Sequence, residues 1–297
     1  TQNTASTSQN RTFVLVDVPP FSHSLVTKIK AFMGESSKLV AMLVTSRDAI
    51  HYDDAPAVYR MRRTDLELWK HAFPNLAIIA YRLDIPRDCR EHITQVLDGY
   101  GPFALEENNN DLFTFVETGR PLTYNEWEHA VAQDILRGRR PVEENSHDFA
   151  RDGHSTKSIR AKEQGKTILA IYTPGHSFGS VSYIFPETGL LCSGFGIPVE
   201  ATRMDENPGM ERTGPALDYR GYITTSRGGM AKQMESARHL VNTYADRFFV
   251  VLPSRGDPLV LEGEAEDRKV TLLDIIDQYE KVGKIYERLG ITSLSDE

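Results

Sequence analysis

Apolar residues in this chain fall into short near-continuous blocks that alternate with stretches carrying apolar positions at helical spacing. Residues 12–18 (TFVLVDV) form a β-branched block closed by Pro19 and Pro20, which predicts a strand. Residues 22–33 predict an amphipathic helix and 38–45 a buried strand. After a polar turn at 52–56, a helix is expected over 63–73, where Leu66, Leu68, Trp69 and Phe73 are spaced for one buried face. A short strand over 76–80, a helix over 87–97 carrying Cys89 and His92, and a turn and strand over 99–105 complete the first half.

The second half opens on TILAIY at 167–172, a further strand. Pro174 and Gly175 stop it, and on this reading they aim the imidazole of His176 away from the sheet edge. Residues 180–185, the turn at 186–189 and residues 190–194 read as strand, turn and strand. A helix is expected over 228–244, with Met230, Met234, Ala237, Leu240 and Val241 on one side, a spacing that reads as core. A buried strand over 247–252 follows, and a helix over 270–289 closes the chain. Between 106 and 165 lies an insertion, with an apolar piece at 113–117, a helix expected over 125–138 and a polar loop. Loops of that length are usually functional or disordered, and the insertion reads as an elaboration that contacts a partner or covers the cleft, with a passive surface insertion as the other reading.

Composition narrows the function. The 297 residues are 40% hydrophobic and 26% charged, which suits one large globular domain, here 12–297 behind a tail at 1–11. A formal net charge of −8 argues against nucleic acid as a partner, since phosphate binding needs a basic surface. No apolar run approaches the roughly 18 residues of a membrane span. The two cysteines, Cys89 and Cys192, form no Cys-x-x-Cys pair and read as buried free thiols of a reducing compartment. Residues 1–11 are rich in Ser, Thr, Asn and Gln without an acidic residue, as at the start of a trimmed, organelle-imported chain.

The turn Thr173-Pro174-Gly175-His176, with the strand pair after it, resembles the metallo-β-lactamase superfamily. The resemblance implies an α/β fold, an αββα four-layer sandwich of two mixed sheets face to face with helices outside and a metal site at one edge. It is similar in particular to a branch found in cyanobacteria, algae and plants. The family's strand pair ends in Ser-Gly-Asp, whose carboxylate bridges two metals, whereas this chain reads Ser193-Gly194-Phe195. Against the family's His-x-His-x-Asp-His loop, Ser46, Asp48 and Ile50 stand at three ligand positions and only His51 is retained. Arg255 stands where the family places its last histidine.

The resemblance therefore leaves His51 and His176, with Asp48 as a third donor, at or below the minimum for one zinc. A bimetal centre is excluded, because Phe195 cannot bridge and Arg255 would bring a fixed positive charge. An Arg255–Asp48 pair is expected to fill the space, and no catalytic residue is assigned. Ser177 and Ser193 lack both a Gly-x-Ser-x-Gly elbow and a paired acid. His147, Asp148, Asp152 and His154 read as solvated loop residues, Ser226 to Gly229 as a helix cap, and His23, His71, His92, His129 and His239 as surface or capping residues. The expected function is a metal-free member acting by binding, an accessory subunit or assembly factor of an organellar complex. It would use no cofactor and contact a protein through 106–165, peripherally to a membrane complex if one is involved. The chloroplast stroma is favoured over the mitochondrial matrix, with the cytosol left open. The alternatives are a mononuclear hydrolase of an ester, thioester or phosphoester, holding one zinc or iron on His51, His176 and Asp48, and a small-molecule sensor.

Overall fold

The computed structural model describes residues 11–47, 61–98, 102–106, 114–115, 167–197, 229–254 and 258–288. Two sheets carry the architecture. The first contains β1 (Thr12–Val16), β2 (Lys38–Leu43), β3 (Ala77–Tyr81) and β4 (Gln95–Leu97), in that spatial order. All three of its pairings are parallel, so each connection must cross over. Helices α1 (His23–Met33) and α2 (Arg63–Ala72) make the first two crossings. The second sheet contains β5 (Phe103–Glu106), β6 (Thr114–Phe115), β7 (Thr167–Tyr172), β8 (Val181–Phe185), β9 (Leu190–Gly194), β10 (Val250–Pro253) and β11 (Leu259–Val260), ordered β11-β10-β9-β8-β7-β5-β6. Its pairings are antiparallel except β9 with β10, the step that α3 (Gly229–Tyr244) crosses. Helix α4 (Ala265–Arg288) follows β11.

Three apolar layers explain why the strands read as near-continuous hydrophobic runs. Between the sheets, Val40, Leu43, Ile79 and Leu97 meet Ile168, Ala170 and Tyr183. Outside the first sheet, Met42 and Ile78 pack under Val26, Leu66, Trp69 and Phe73. Outside the second, Leu169, Ile171, Ile184 and Leu191 pack under Met234, Leu240, Leu272 and Ile276. Strand β7 shows the two-residue alternation directly, with Ile168 and Ala170 facing inward and Leu169 and Ile171 outward. The result is the expected helix, sheet, sheet, helix layering.

Four sequence expectations are corrected. Residues 87–97 hold one 3-10 turn, Arg90–His92, and then β4, because Val96 and Leu97 extend β3 rather than cover it. A short apolar run does not by its period separate strand from helix. Among the described residues the first sheet is parallel throughout instead of mixed. The last strand starts at Val250, after a 3-10 turn at Ala245–Arg247. The last helix starts at Ala265, where Glu266 and Asp267 in the first turn favour the N-terminal end of the helix dipole without any apolar marker. The expectations for 1–10, for the helix over 125–138 and for most of the insertion lie outside the described residues. Among those described, no helix is long and apolar enough to cross a membrane.

Candidate functional site

The C-terminal ends of β1, β2, β9 and β10 meet at one edge of the sandwich, where the metal positions of the resemblance fall. Asp17 closes β1 with a left-handed backbone (φ 66°), a conformation that strains a residue bearing a Cβ and marks an imposed geometry. Its N–H donates to Leu43 O at 2.7 Å. Its Oδ1 accepts from Thr45 N at 2.8 Å and Thr45 Oγ1 at 2.6 Å, and its Oδ2 from Ser254 Oγ at 2.8 Å. One buried carboxylate thus ties the first sheet to the end of β10. Burial pushes its pKa up to about 6 against the three hydrogen bonds, which lower it. Thr45 O in turn accepts from Val181 N at 2.8 Å, and Gly194 O from Ser254 N at 3.0 Å. Gly194 has φ 55°, and a Cβ there would lie 2.7 Å from Thr45, so only glycine lets the ends of β2 and β9 touch. Ser46 follows directly and is buried.

A second buried carboxylate holds the 173–180 turn. Asp84, in the 3-10 turn after β3, accepts from Ser177 Oγ, from Gly179 N at 3.0 Å and from Arg47 N at 3.1 Å. Burial raises its pKa as well. Within the turn, Thr173 N donates to Ser180 O at 2.9 Å, Gly175 N to Ser177 O at 3.0 Å and Ser177 N to Ser180 Oγ at 3.1 Å. Ser177 therefore does have a paired acid, contrary to the sequence reading. The pairing is structural: the hydroxyl is fully buried, and its hydrogen-bond partners are Asp84 and Ser180, not the histidine that would have to take its proton. Ser193, likewise buried, lies one residue before the end of β9.

His176 sits between these two anchors. Its imidazole is 3% exposed and stacks on Phe195, with ring centroids 3.8 Å apart and planes 20° apart. The imidazole is thus packed inward against a phenyl ring, where the sequence reading aimed it away from the sheet. Helix α3 lies across both residues. Gln233 Nε2 donates to Phe195 O at 2.6 Å and Ser236 Oγ to Pro174 O at 2.7 Å. A Cβ on Gly175 would lie 2.3 Å from Gln233 Cα, so this glycine admits the helix.

The structure brings Ser46, His176 and Phe195 to the same edge; Asp48, Ile50, His51 and Arg255, with the expected Arg255–Asp48 pair, lie outside the described residues. The described part of the site does not fit a bimetal centre. Phe195, where the resemblance expects a bridging carboxylate, presents carbon to the imidazole face, and zinc or iron requires lone-pair donors. Among the described residues, the one group of three ligand-type side chains with atoms within 4.8 Å of one another is Glu67, Glu91 and His92. Both of those glutamates already pair with Arg63 at 2.8 Å. Cys89 and Cys192 are buried free thiols, pushed by burial up to about 12, far from thiolate chemistry.

Sequence reasoning missed Asp17, Asp84, Gln233 and Ser236. The first two carried a faint signal, an acid at the end of an apolar strand block (VLVD, and AIIAY before RLD). The helix donors carried none.

No family model matches the chain, and no curated relative matches it in sequence. Solved structures do. The DIM-1 metallo-beta-lactamase is 13% identical, covered over 91% of this chain and 82% of its own, at a TM-score of 0.43. VMB-1 is 13% identical over 92% and 81%, at 0.44. A metallo-beta-lactamase from Erythrobacter litoralis, solved with beta mercaptoethanol in its active site, is 14% identical over 91% and 81%, at 0.41. These similarities extend over about nine-tenths of the chain.

Proposed function

We propose that this chain is a divergent metallo-β-lactamase-fold protein that works by binding, as an accessory subunit or assembly factor of an organellar complex, and not by metal-dependent hydrolysis. The observation that supports this reading is the Phe195 ring stacked on His176. A residue meant to hold a cation needs donors on its neighbours, and the neighbour here offers a hydrocarbon face in a buried corner. The clamp of Gln233 and Ser236 from α3 gives this corner the character of a packed core. The reading takes the chloroplast stroma as the compartment and the 106–165 insertion as a partner contact; for these the support is the sequence.

The test is metal content. Protein purified without added metal is expected to carry zinc and iron far below one per chain by plasma mass spectrometry, and to co-purify from native extracts in a larger assembly. Stoichiometric zinc or iron that disappears in His176→Gln would overturn the reading and restore a mononuclear hydrolase on His51, His176 and Asp48. Deleting 108–160 is expected to abolish the assembly while the remaining chain keeps its cooperative unfolding.

A further inference from the structure

At the end of the four-stranded sheet opposite Asp17 and Asp84, a groove of about 930 Å³ runs between the last turns of α1 and α2 and the start of β2. Met33, Leu39, Ala72, Phe73 and Pro74 give it an apolar lining. A Cβ built on Gly34, at the cap of α1, would meet nothing within 4 Å, so the groove stays open to another backbone there. Phe32, beside it on α1, is 80% exposed and meets Phe13 edge-on. An apolar trough flanked by an exposed aromatic and rimmed by polar residues has the anatomy of an interaction surface.

Its rim has the opposite sign to the molecule. The chain's formal net charge is −8, yet Lys30 and Lys38 line the groove against Glu35 alone. Lys30 Nζ lies 5.2 Å from the Phe73 ring centroid, so the ammonium is held over the trough by the ring's electrons. A cationic rim on an anionic molecule admits acidic groups here and repels them elsewhere.

We propose that this groove binds a short acidic segment of a partner protein, which seats one or two large apolar side chains beside Phe73 while its carboxylates meet Lys30 and Lys38. The trough is only partly enclosed, whereas a small-molecule pocket buries most of its ligand, and a second copy of so acidic a chain is disfavoured by mutual repulsion. The site shares with the proposed function only the need for a partner. Metal content tests that function; peptide binding tests this site.

The experiment is to pan a phage-displayed library of random dodecapeptides on the full chain and to measure the enriched peptides by fluorescence anisotropy. Peptides pairing Asp or Glu with large apolar residues are expected, weakened about tenfold or more when their acids become amides. Lys30→Glu with Lys38→Glu should lose them. So should Ala31→Arg, which adds positive charge but fills the groove from an exposed position. All three positions are exposed, so the variants are expected to melt like the parent. Enriched peptides without acids, binding that Ala31→Arg leaves intact, or no groove-dependent peptide at all would overturn the proposal. So would saturable dodecanoate binding, or self-association, that Ala31→Arg abolishes while no peptide binds.

Discussion

Two corners at the same edge of the sandwich are built by opposite means. At one, Asp84 gathers Ser177 Oγ, Gly179 N and Arg47 N around a buried carboxylate, and the 173–180 turn is fixed by hydrogen bonds. At the other, one residue earlier in the same turn, the His176 imidazole is fixed by a phenyl ring and by the approach of α3. The difference teaches that the position of the turn and the chemistry at its tip are separable. The polar corner holds Ser177, Gly179 and Arg47 without using the imidazole, so the backbone of the turn does not depend on what the ring stacks against.

The largest expected effect comes from breaking the polar corner. Asp84→Ala removes the acceptor of two backbone N–H groups and one hydroxyl in a site too closed for water to replace it. Buried donors left unsatisfied cost about 1–3 kcal/mol each, and Ser177 keeps Ser180 as a partner, so a loss of about 4 kcal/mol is expected from urea unfolding. A loss under about 1 kcal/mol would show that the turn is held from the α3 side instead.

Asp17 sharpens the comparison through pH. Its folded-state carboxyl keeps its proton up to about pH 6, while the unfolded one releases it near 3.8. Between those values the folded chain binds the extra proton. The group's contribution to stability is therefore fully present below about pH 3.8, falls as pH rises through about 6, and is flat above. The integrated change is on the order of 3 kcal/mol. Asn at this position accepts from Thr45 and donates to Ser254 without ionising, so Asp17→Asn should flatten that slope and match or exceed the parent at neutral pH. Urea midpoints across the window check it. A slope unchanged in Asp17→Asn would assign the pH dependence to Asp84, whose pKa moves the same way.

The sequence reading located the layers better than the locks. The strand blocks at 38–45, 167–172, 180–185 and 190–194 were readable because both faces of each are buried, leaving runs that polar turns punctuate. Of the positions the resemblance singled out, His176 and Phe195 stack on one another and Ser46 is buried after Thr45. The locks were not readable because they pair residues distant in sequence: Ser177 with Asp84 is 93 positions, Ser254 with Asp17 is 237. Nothing local tells a buried acid from a solvated one at a strand end. The strand at 95–97 was missed for a related reason, since three residues become a strand only beside β3.

The smallest expected effect tests the apolar corner. If His176 is held mainly by stacking, His176→Leu replaces one buried side chain with another of similar volume. It forfeits an aromatic pair worth about 0.5–1.5 kcal/mol. The expected destabilisation is about 1 kcal/mol, with the 173–180 amides keeping their hydrogen-exchange protection, because Asp84 still holds Ser177 and Gly179. A loss above about 3 kcal/mol would mean that the imidazole nitrogens anchor a buried polar network in their own right. The two corners would then be alike in kind, and the separation of the turn's shape from the chemistry at its tip would no longer hold.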